Sequence, residues 1–196
     1  MPEHVPGSDA DEGSIVARAQ DGDLAAFELL VSIYQVRLFR LAYRMLNDRL
    51  DAEDIVQEAF TSSWRSLPML SDVNAFGGWI YRQAMNKCLD LLRKRSVHPE
   101  ALTDPDDLRS TCETGANLLS SCCDPADSAQ CAAAEDELAQ LLNALPPVQK
   151  ACWLLREIHG RSYAEISDTL KISPSTVRGT LARARHRIAE GMSPWR

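Results

Sequence analysis

No apolar run in the 196-residue chain approaches the roughly 18 residues a helix needs to cross a bilayer, so membrane insertion is not expected. Residues Met1–Glu12 are acidic and hold no apolar stretch, which argues against a secretory signal and gives a cytoplasmic address as the expectation. Glycine-rich phosphate loops are absent, and the four histidines, His4, His98, His159 and His186, are scattered. No catalytic constellation emerges, so the chain is not expected to be an enzyme or to need a cofactor. Alternation of apolar and polar residues is also missing, which leaves helix as the regular structure available. Cysteine pairs at metal-site spacing are lacking too. Cys112, Cys122, Cys123 and Cys131 are separated by nine, zero and seven residues, whereas structural zinc uses pairs two to four apart. No metal is expected; inert thiols are the favoured reading, with a metal or redox-sensing role left open. Cys88 and Cys152 fall on apolar stripes and read as core.

The net charge of −7 argues against nucleic acid only until its distribution is drawn. Residues 1–60 hold five arginines against twelve carboxylates, and residues 96–134 hold one basic residue against seven acidic. Residues 79–95, by contrast, carry five basic side chains against one acidic, and residues 171–196 six against one. Phosphate responds to local charge, so two compact basic segments are candidate DNA contacts in an otherwise acidic chain.

Helical periodicity organises the rest. Phe27, Val31, Tyr34, Leu38, Leu41 and Met45 step by fours and threes, which predicts one amphipathic helix starting near Leu24. Asn47-Asp48 breaks it, and Asp51 is the expected cap of a second helix whose stripe is Ile55, Val56, Ala59, Phe60 and Ser63, with Trp64 at its edge. A third follows Gly77-Gly78 to about Lys94, with Ile80, Ala84, Cys88 and Leu91 inward. Residues 96–134 are rich in Pro, Asp, Ser, Thr and Ala and show no period. Leu138, Leu141, Leu142 and Leu145 restart the helical pattern, Pro147 suits the first position of a further helix, and Gly160 its end. The expected fold is all-α: a disordered N-terminus over 1–14, a helical unit over 15–95, a flexible acidic linker over 96–134, and a second helical unit over 135–196.

The C-terminal segment is the most specific. Ser162-Tyr163-Ala164-Glu165 fits a capping box, Lys171-Ile172 a turn, and Ser173-Pro174 a cap and first turn of a new helix. Val177, Leu181 and Ile188 supply that helix's apolar face, and arginines line the remainder. Two helices joined by a short turn, the second basic, make a helix-turn-helix, whose second helix reads bases with its N-terminal end.

Three segments in order resemble a known family. Asp51-Ala52-Glu53-Asp54-Ile55-Val56-Gln57-Glu58-Ala59-Phe60 is similar to the region 2.2 helix of bacterial sigma factors. Phe76-Gly77-Gly78-Trp79-Ile80-Tyr81-Arg82-Gln83-Ala84-Met85-Asn86 resembles their promoter-melting and −10-reading segment, and the helix after Leu145-Pro146-Pro147 with the helix-turn-helix resembles their −35-reading domain. A linker in place of the intermediate domain resembles the extracytoplasmic-function (ECF) group. The resemblance implies a factor that binds core RNA polymerase, directs promoter-specific initiation, and is regulated by an anti-sigma factor. It further implies that Asp51, Glu53, Asp54, Gln57 and Glu58 face the polymerase, as a charged rim that sets specificity and association rate. The −10 candidates are Ser71, Asp72 and Asn74 of the loop, a half-buried Trp79, an exposed Tyr81, and Arg82, Asn86 and Arg93 on one exposed face with Asp90. The −35 candidates are Ser175, Thr176, Arg178, Arg183 and Arg185. The family often carries Ser-Arg where this chain has Gly179-Thr180, so one DNA contact at position 180 is expected to be missing. The residues alone leave an ordinary helix-turn-helix regulator as the competing reading; binding to core polymerase separates the two.

Overall fold

The computed structural model describes residues 9–97, 134 and 136–193. The linker, its cysteines and residues 1–8 lie outside the described residues. No strand occurs among the described residues.

The first helix, α1 (Asp9–Gln20), begins where disorder was expected over residues 9–14. Its own pattern is weak; neighbours hold it. Val16 and Ala19 are buried, and the Tyr34 hydroxyl donates to Glu12 Oε1 at 2.7 Å. The Gln20 amide donates to the carbonyls of Leu67 and Leu70 at 3.0 and 2.7 Å. Packing thus supplies what propensity lacks. Gly13 fits because a Cβ there would come within 2.9 Å of Asn74 Oδ1.

Helix α2 (Leu24–Leu46) is capped by Asp23, which accepts from Ala26 N at 3.1 Å, and closed by left-handed Asn47 (φ 56°). Its anticipated stripe is inward, with Val31 only half-buried. Helix α3 (Arg49–Ser66) starts earlier than anticipated. Asp48, not Asp51, is its cap, accepting from Asp51 N at 3.0 Å, because the chain is still extended at residue 48. Asp51 instead sits in the first turn and pairs with Arg95. Ile55, Val56, Ala59, Phe60 and Ser63 are all buried, and Phe27 meets Phe60 edge-on at 6.3 Å and Trp64 at 4.9 Å. Two 3₁₀ turns, Leu67–Met69 and Val73–Ala75, lead into α4 (Phe76–Val97). The inner face of α4 carries Phe76, Ile80, Ala84, Met85 and Cys88, while Leu91 is half-buried. Burial pushes the Cys88 thiol up to about 12, so it is an inert core group, as is Cys152 at about 11.

The second unit opens with α5 (residues 136–143), which contributes Leu142. Helix α6 (Pro147–Trp153) begins on Pro147 and continues as one π turn, Leu154–Ile158, closed by His159 N to Leu154 O at 3.2 Å. Gly160, at φ 62°, then reverses the chain. Val148 on this helix is exposed, whereas Cys152 and Leu155 are core. The helix-turn-helix follows as read: α7 (Tyr163–Leu170) with both halves of its capping box, left-handed Lys171, and α8 (Pro174–Gly191) capped by Ser173.

The two units pack on each other. Helices α6 and α7 sit against α4, and α6 also touches α2. Lys150, only 5% exposed, donates to the Met45 carbonyl of α2 at 3.3 Å and to Asn143 Oδ1 at 2.7 Å. Desolvation lowers its ammonium from 10.5 to about 8. Between these values the unfolded chain holds the proton and the folded chain sheds it, so this group makes stability rise with pH. The unfolding free energy of wild type minus that of Lys150→Met is therefore expected to increase by on the order of 2 kcal/mol from about pH 7 to about pH 9.5. Urea titrations at the two values measure it; a flat or falling difference contradicts the assignment.

Candidate nucleic-acid interface

The outward face of α3 presents the acidic side chains singled out in the sequence, with unequal freedom. Asp51 is tied to Arg95, and Glu53 to Arg49 at 2.9 Å. Glu58 meets Lys87 of α4 at 3.1 Å. Asp54 and Gln57 are exposed and make no side-chain pairing among the described residues. The dipole of α3 accounts for acids in its first turn and for nothing beyond it.

Above α4, Ser71, Asp72 and Asn74 are exposed on the loop. Asp72 shapes it by accepting from Asn74 N at 3.0 Å. Trp79 is half-buried as anticipated, tilted against Phe76 at 5.8 Å. Tyr81 departs from expectation: it is 3% exposed. The cause is the second unit. His159 Nδ1 lies 3.0 Å from the Tyr81 hydroxyl, and the Arg161 guanidinium stacks 4.2 Å above its ring. Arg82 is also partly covered, 37% exposed and 4.0 Å from Asp168 of α7. Asn86 is half-buried, and Arg93 is exposed with Asp90 at 2.6 Å. The face Arg82–Asn86–Asp90–Arg93 is thus open only at its C-terminal end.

On α8, Val177, Thr180, Leu181, Ala184 and Ile188 face inward, and Ser175, Thr176, Arg178 and Arg183 face out. Arg185 is exposed but held by Glu157 through two bonds of 2.9 and 2.6 Å. Position 180, where a DNA contact was expected to be missing, faces inward rather than lying on the outer surface. Thr180 is 4% exposed and accepts from Arg183 at 3.4 Å, so a side chain there enters the domain core. Gly179 is the outward position, with nothing within 4 Å of a Cβ.

Several residues of consequence were not anticipated. The π turn and Gly160 deliver His159 and Arg161 onto α4, and Arg156 steadies the turn by donating to the Arg161 carbonyl at 2.9 Å. Burial first, then the fields of Arg44, Arg161, Arg37 and Arg40, hold the His159 imidazole down at about 4. It is neutral at physiological pH. Among the described residues, Arg40 Nε, His159 Nε2 and Arg161 Nε are buried without hydrogen-bond partners. The spacing of Arg37, Arg40 and Arg44 on one side of α2 was visible in the sequence; their convergence on a histidine over a hundred residues away was not. A cavity of about 380 Å³ remains between the units, lined by Asn74, Trp79 and Arg82 on one side and Arg161, Glu165 and Asp168 on the other. No helix among the described residues is long and apolar enough to cross a membrane.

Comparison with known proteins resolves what these surfaces belong to. Residues 30–97 match the Sigma-70 region 2 family, and residues 135–188 match Sigma-70, region 4. The RNA polymerase sigma-H factor of Pseudomonas aeruginosa is 32% identical over 182 residues, covering 92% of this chain and 93% of that protein. The ECF RNA polymerase sigma factor SigE of Mycolicibacterium smegmatis is 34% identical, covering 95% of this chain and 70% of its own length. In fold, CnrH solved with the cytosolic domain of CnrY aligns with a TM-score of 0.64 at 23% identity, covering 91% of this chain and 95% of that one. RpoE of Bartonella quintana, solved with the anti-sigma factor NepR, aligns with the same score at 19% identity, covering 85% and 96%. A stand-alone helix-turn-helix regulator would not carry the region 2 match. Both promoter-reading regions are present in order, and relatives of 32–34% identity span more than nine-tenths of the sequence: the chain belongs to the ECF RNA polymerase sigma factors.

Proposed function

We propose that this sigma factor reads −35 DNA with the N-terminal half of α8, captures and melts −10 DNA with the loop before α4 and the outer face of α4, and docks core RNA polymerase through the outer face of α3. A sigma factor makes no bonds itself; it positions the polymerase that does, here in the cytoplasm. The functional units are residues 15–95, extended back through α1, and residues 135–196, joined by the linker 96–134. The observation that carries this reading is the exposed row Ser175, Thr176, Arg178 and Arg183 on a helix opened by a serine cap and a proline. Its free N–H groups and short polar side chains suit phosphate and base edges together. On the −10 side, Ser71, Asp72, Asn74 and Trp79 suit a flipped base, and Arg82, Asn86 and Arg93 suit the strand that carries it. Tyr81 joins them only after the second unit moves away. Regulation by an anti-sigma factor is supported by two proteins of like fold, one solved with the cytosolic domain of CnrY and the other with the anti-sigma factor NepR.

Arg178→Ala is expected to weaken holoenzyme binding to its −35 element by about 1–3 kcal/mol, the span of one base-reading pair. Competition titrations with substituted −35 duplexes check it, and unchanged affinity and preference count against the assignment. On α3, Asp54→Lys combined with Gln57→Ala alters the two unpaired positions. Thermal stability should move by about 0.5 kcal/mol or less, while affinity for purified core falls about tenfold or more, and further at low salt. Anisotropy titration reads the result; wild-type affinity in the double variant would place the polymerase on another face.

A further inference from the structure

We infer that Gly179 is a close-approach point, where the bare backbone of α8 seats against the major-groove edge of one −35 base pair and selects that pair by fit. The inference rests on the assignment of α8 to −35 DNA and adds what sets the depth of the helix in the groove. Gly179 is the sixth residue of α8, beyond the first turn and far from the C-terminal end. Glycine there weakens a helix relative to alanine, because it loses more backbone freedom on folding and leaves the backbone open to water. Among the described residues nothing offsets this. Gly179 is exposed, its φ is not positive, and a Cβ built on it meets no atom within 4 Å. Other glycines have reasons within the fold: Gly22 and Gly160 hold positive φ, and Gly13, Gly77 and Gly191 are crowded by a neighbour.

The surroundings point the same way. On a helix the neighbours of position 179 stand one turn away, at three and four residues on either side. They are Ser175, Thr176, Ala182 and Arg183, all exposed. Three of these side chains are short, so the centre of the outward face is low, with Arg178 and Arg183 rising beside it. Val177, Thr180, Leu181 and Ala184 are buried on the opposite side and fix which way Gly179 faces. The use of a glycine here therefore lies in what approaches from outside.

Helix geometry says why the approach is close. Ser175 and Arg183 are eight positions apart, about 12 Å along the axis. A helix touching DNA by its N-terminal tip alone would leave Arg183 short of the base edges. For both to read, α8 lies along the groove floor, and position 179, midway between them, is the nearest point of its backbone. A side chain there is a spacer that lifts both readers together. Where the family often carries serine, this chain carries glycine, so the base pair beneath meets Cα and not a hydroxyl. Its identity is then selected by shape, with no hydrogen bond from that position. Gly179 is thus a positioning residue for Ser175 and Arg183 and a steric filter for one base pair.

The test uses holoenzyme assembled from purified core and the full chain. The probes are a promoter duplex with the −35 element that wild type selects and a set in which each −35 base pair is replaced in turn. Gly179→Ala should raise the thermal midpoint of the free chain by about 1–4 °C, as a better helix former at an unstrained position. It should nevertheless weaken binding to the selected promoter about tenfold, with discrimination lost mainly at one base pair. Gly179→Leu, bulkier and also a good helix former, should weaken it further. Stability and affinity thus move in opposite directions, which a merely structural glycine would not produce. A lowered midpoint in Gly179→Ala overturns the claim that the fold does not need glycine. Wild-type affinity in both variants overturns the close approach, and a loss spread evenly over all duplexes overturns the selection of a base pair. Equal losses in the two variants would assign the role to helix flexibility and overturn the steric account. Arg178→Ala separates the two levels. If it weakens binding while both Gly179 variants bind as wild type, this inference alone fails; a wild-type holoenzyme indifferent to the −35 sequence removes the assignment of α8 and the inference with it.

Discussion

Helix α4 carries two obligations on opposite sides. Its inner face, from Phe76 through Cys88, is fully buried among α2, α3 and α6. Its outer face seats the second unit and carries Trp79, Arg82, Asn86 and Arg93, the side chains proposed for promoter DNA. Tyr81 lies at the border of the two sides, covered by His159 and Arg161 of the second unit. Much of the remaining structure serves to hold this helix. Helix α1 braces the loop that leads into it, α3 pairs with it through Asp51–Arg95 and Glu58–Lys87, and the π turn of α6 aims His159 at its middle.

The charge pattern acquires a geometric meaning in this arrangement. An acidic chain with two basic segments is weakly attracted to DNA as a whole, which limits adventitious binding. The acids are not spread evenly. Some cap and steady helices, as Asp23 and Asp48 do; some lie on the outer side of α3; and Glu165 and Asp168 line the cavity opposite Trp79 and Arg82. The basic residues of α8 are likewise divided, since Arg185 is held by Glu157 while Arg178 and Arg183 extend outward. Net charge alone shows none of this division.

Local features were legible in the sequence because their causes are local. The stripes of α2 and α3, the capping box at Ser162–Glu165, the Ser173-Pro174 start of α8 and the Gly160 stop each depend on residues within one or two turns of each other. What was misread depended on distant partners. The start of α1 is held by Tyr34 and the Leu67–Leu70 turn, so its weak periodicity looked like disorder. The cap of α3 moved to Asp48 because two candidate aspartates lie three residues apart and only backbone conformation chooses between them. Tyr81 was read as exposed because nothing within one helix reveals that Arg161 will cover it, and position 180 was read as a surface position that lacks its DNA-contacting arginine, although α8 turns it inward. Family resemblance supplied the three proposed surfaces, and the fold shows which of their side chains are exposed and which are covered or paired.

The central claim is that this chain brings core RNA polymerase to promoters through two separate readers. Run-off transcription with purified core, this protein and a randomised promoter library tests it most directly. Sequencing the transcribed templates should yield one bipartite signature, a −35 element and a −10 element at fixed spacing, with no defined transcripts from core alone. Transcription that does not depend on the added chain, or that selects no promoter sequence, would contradict the account.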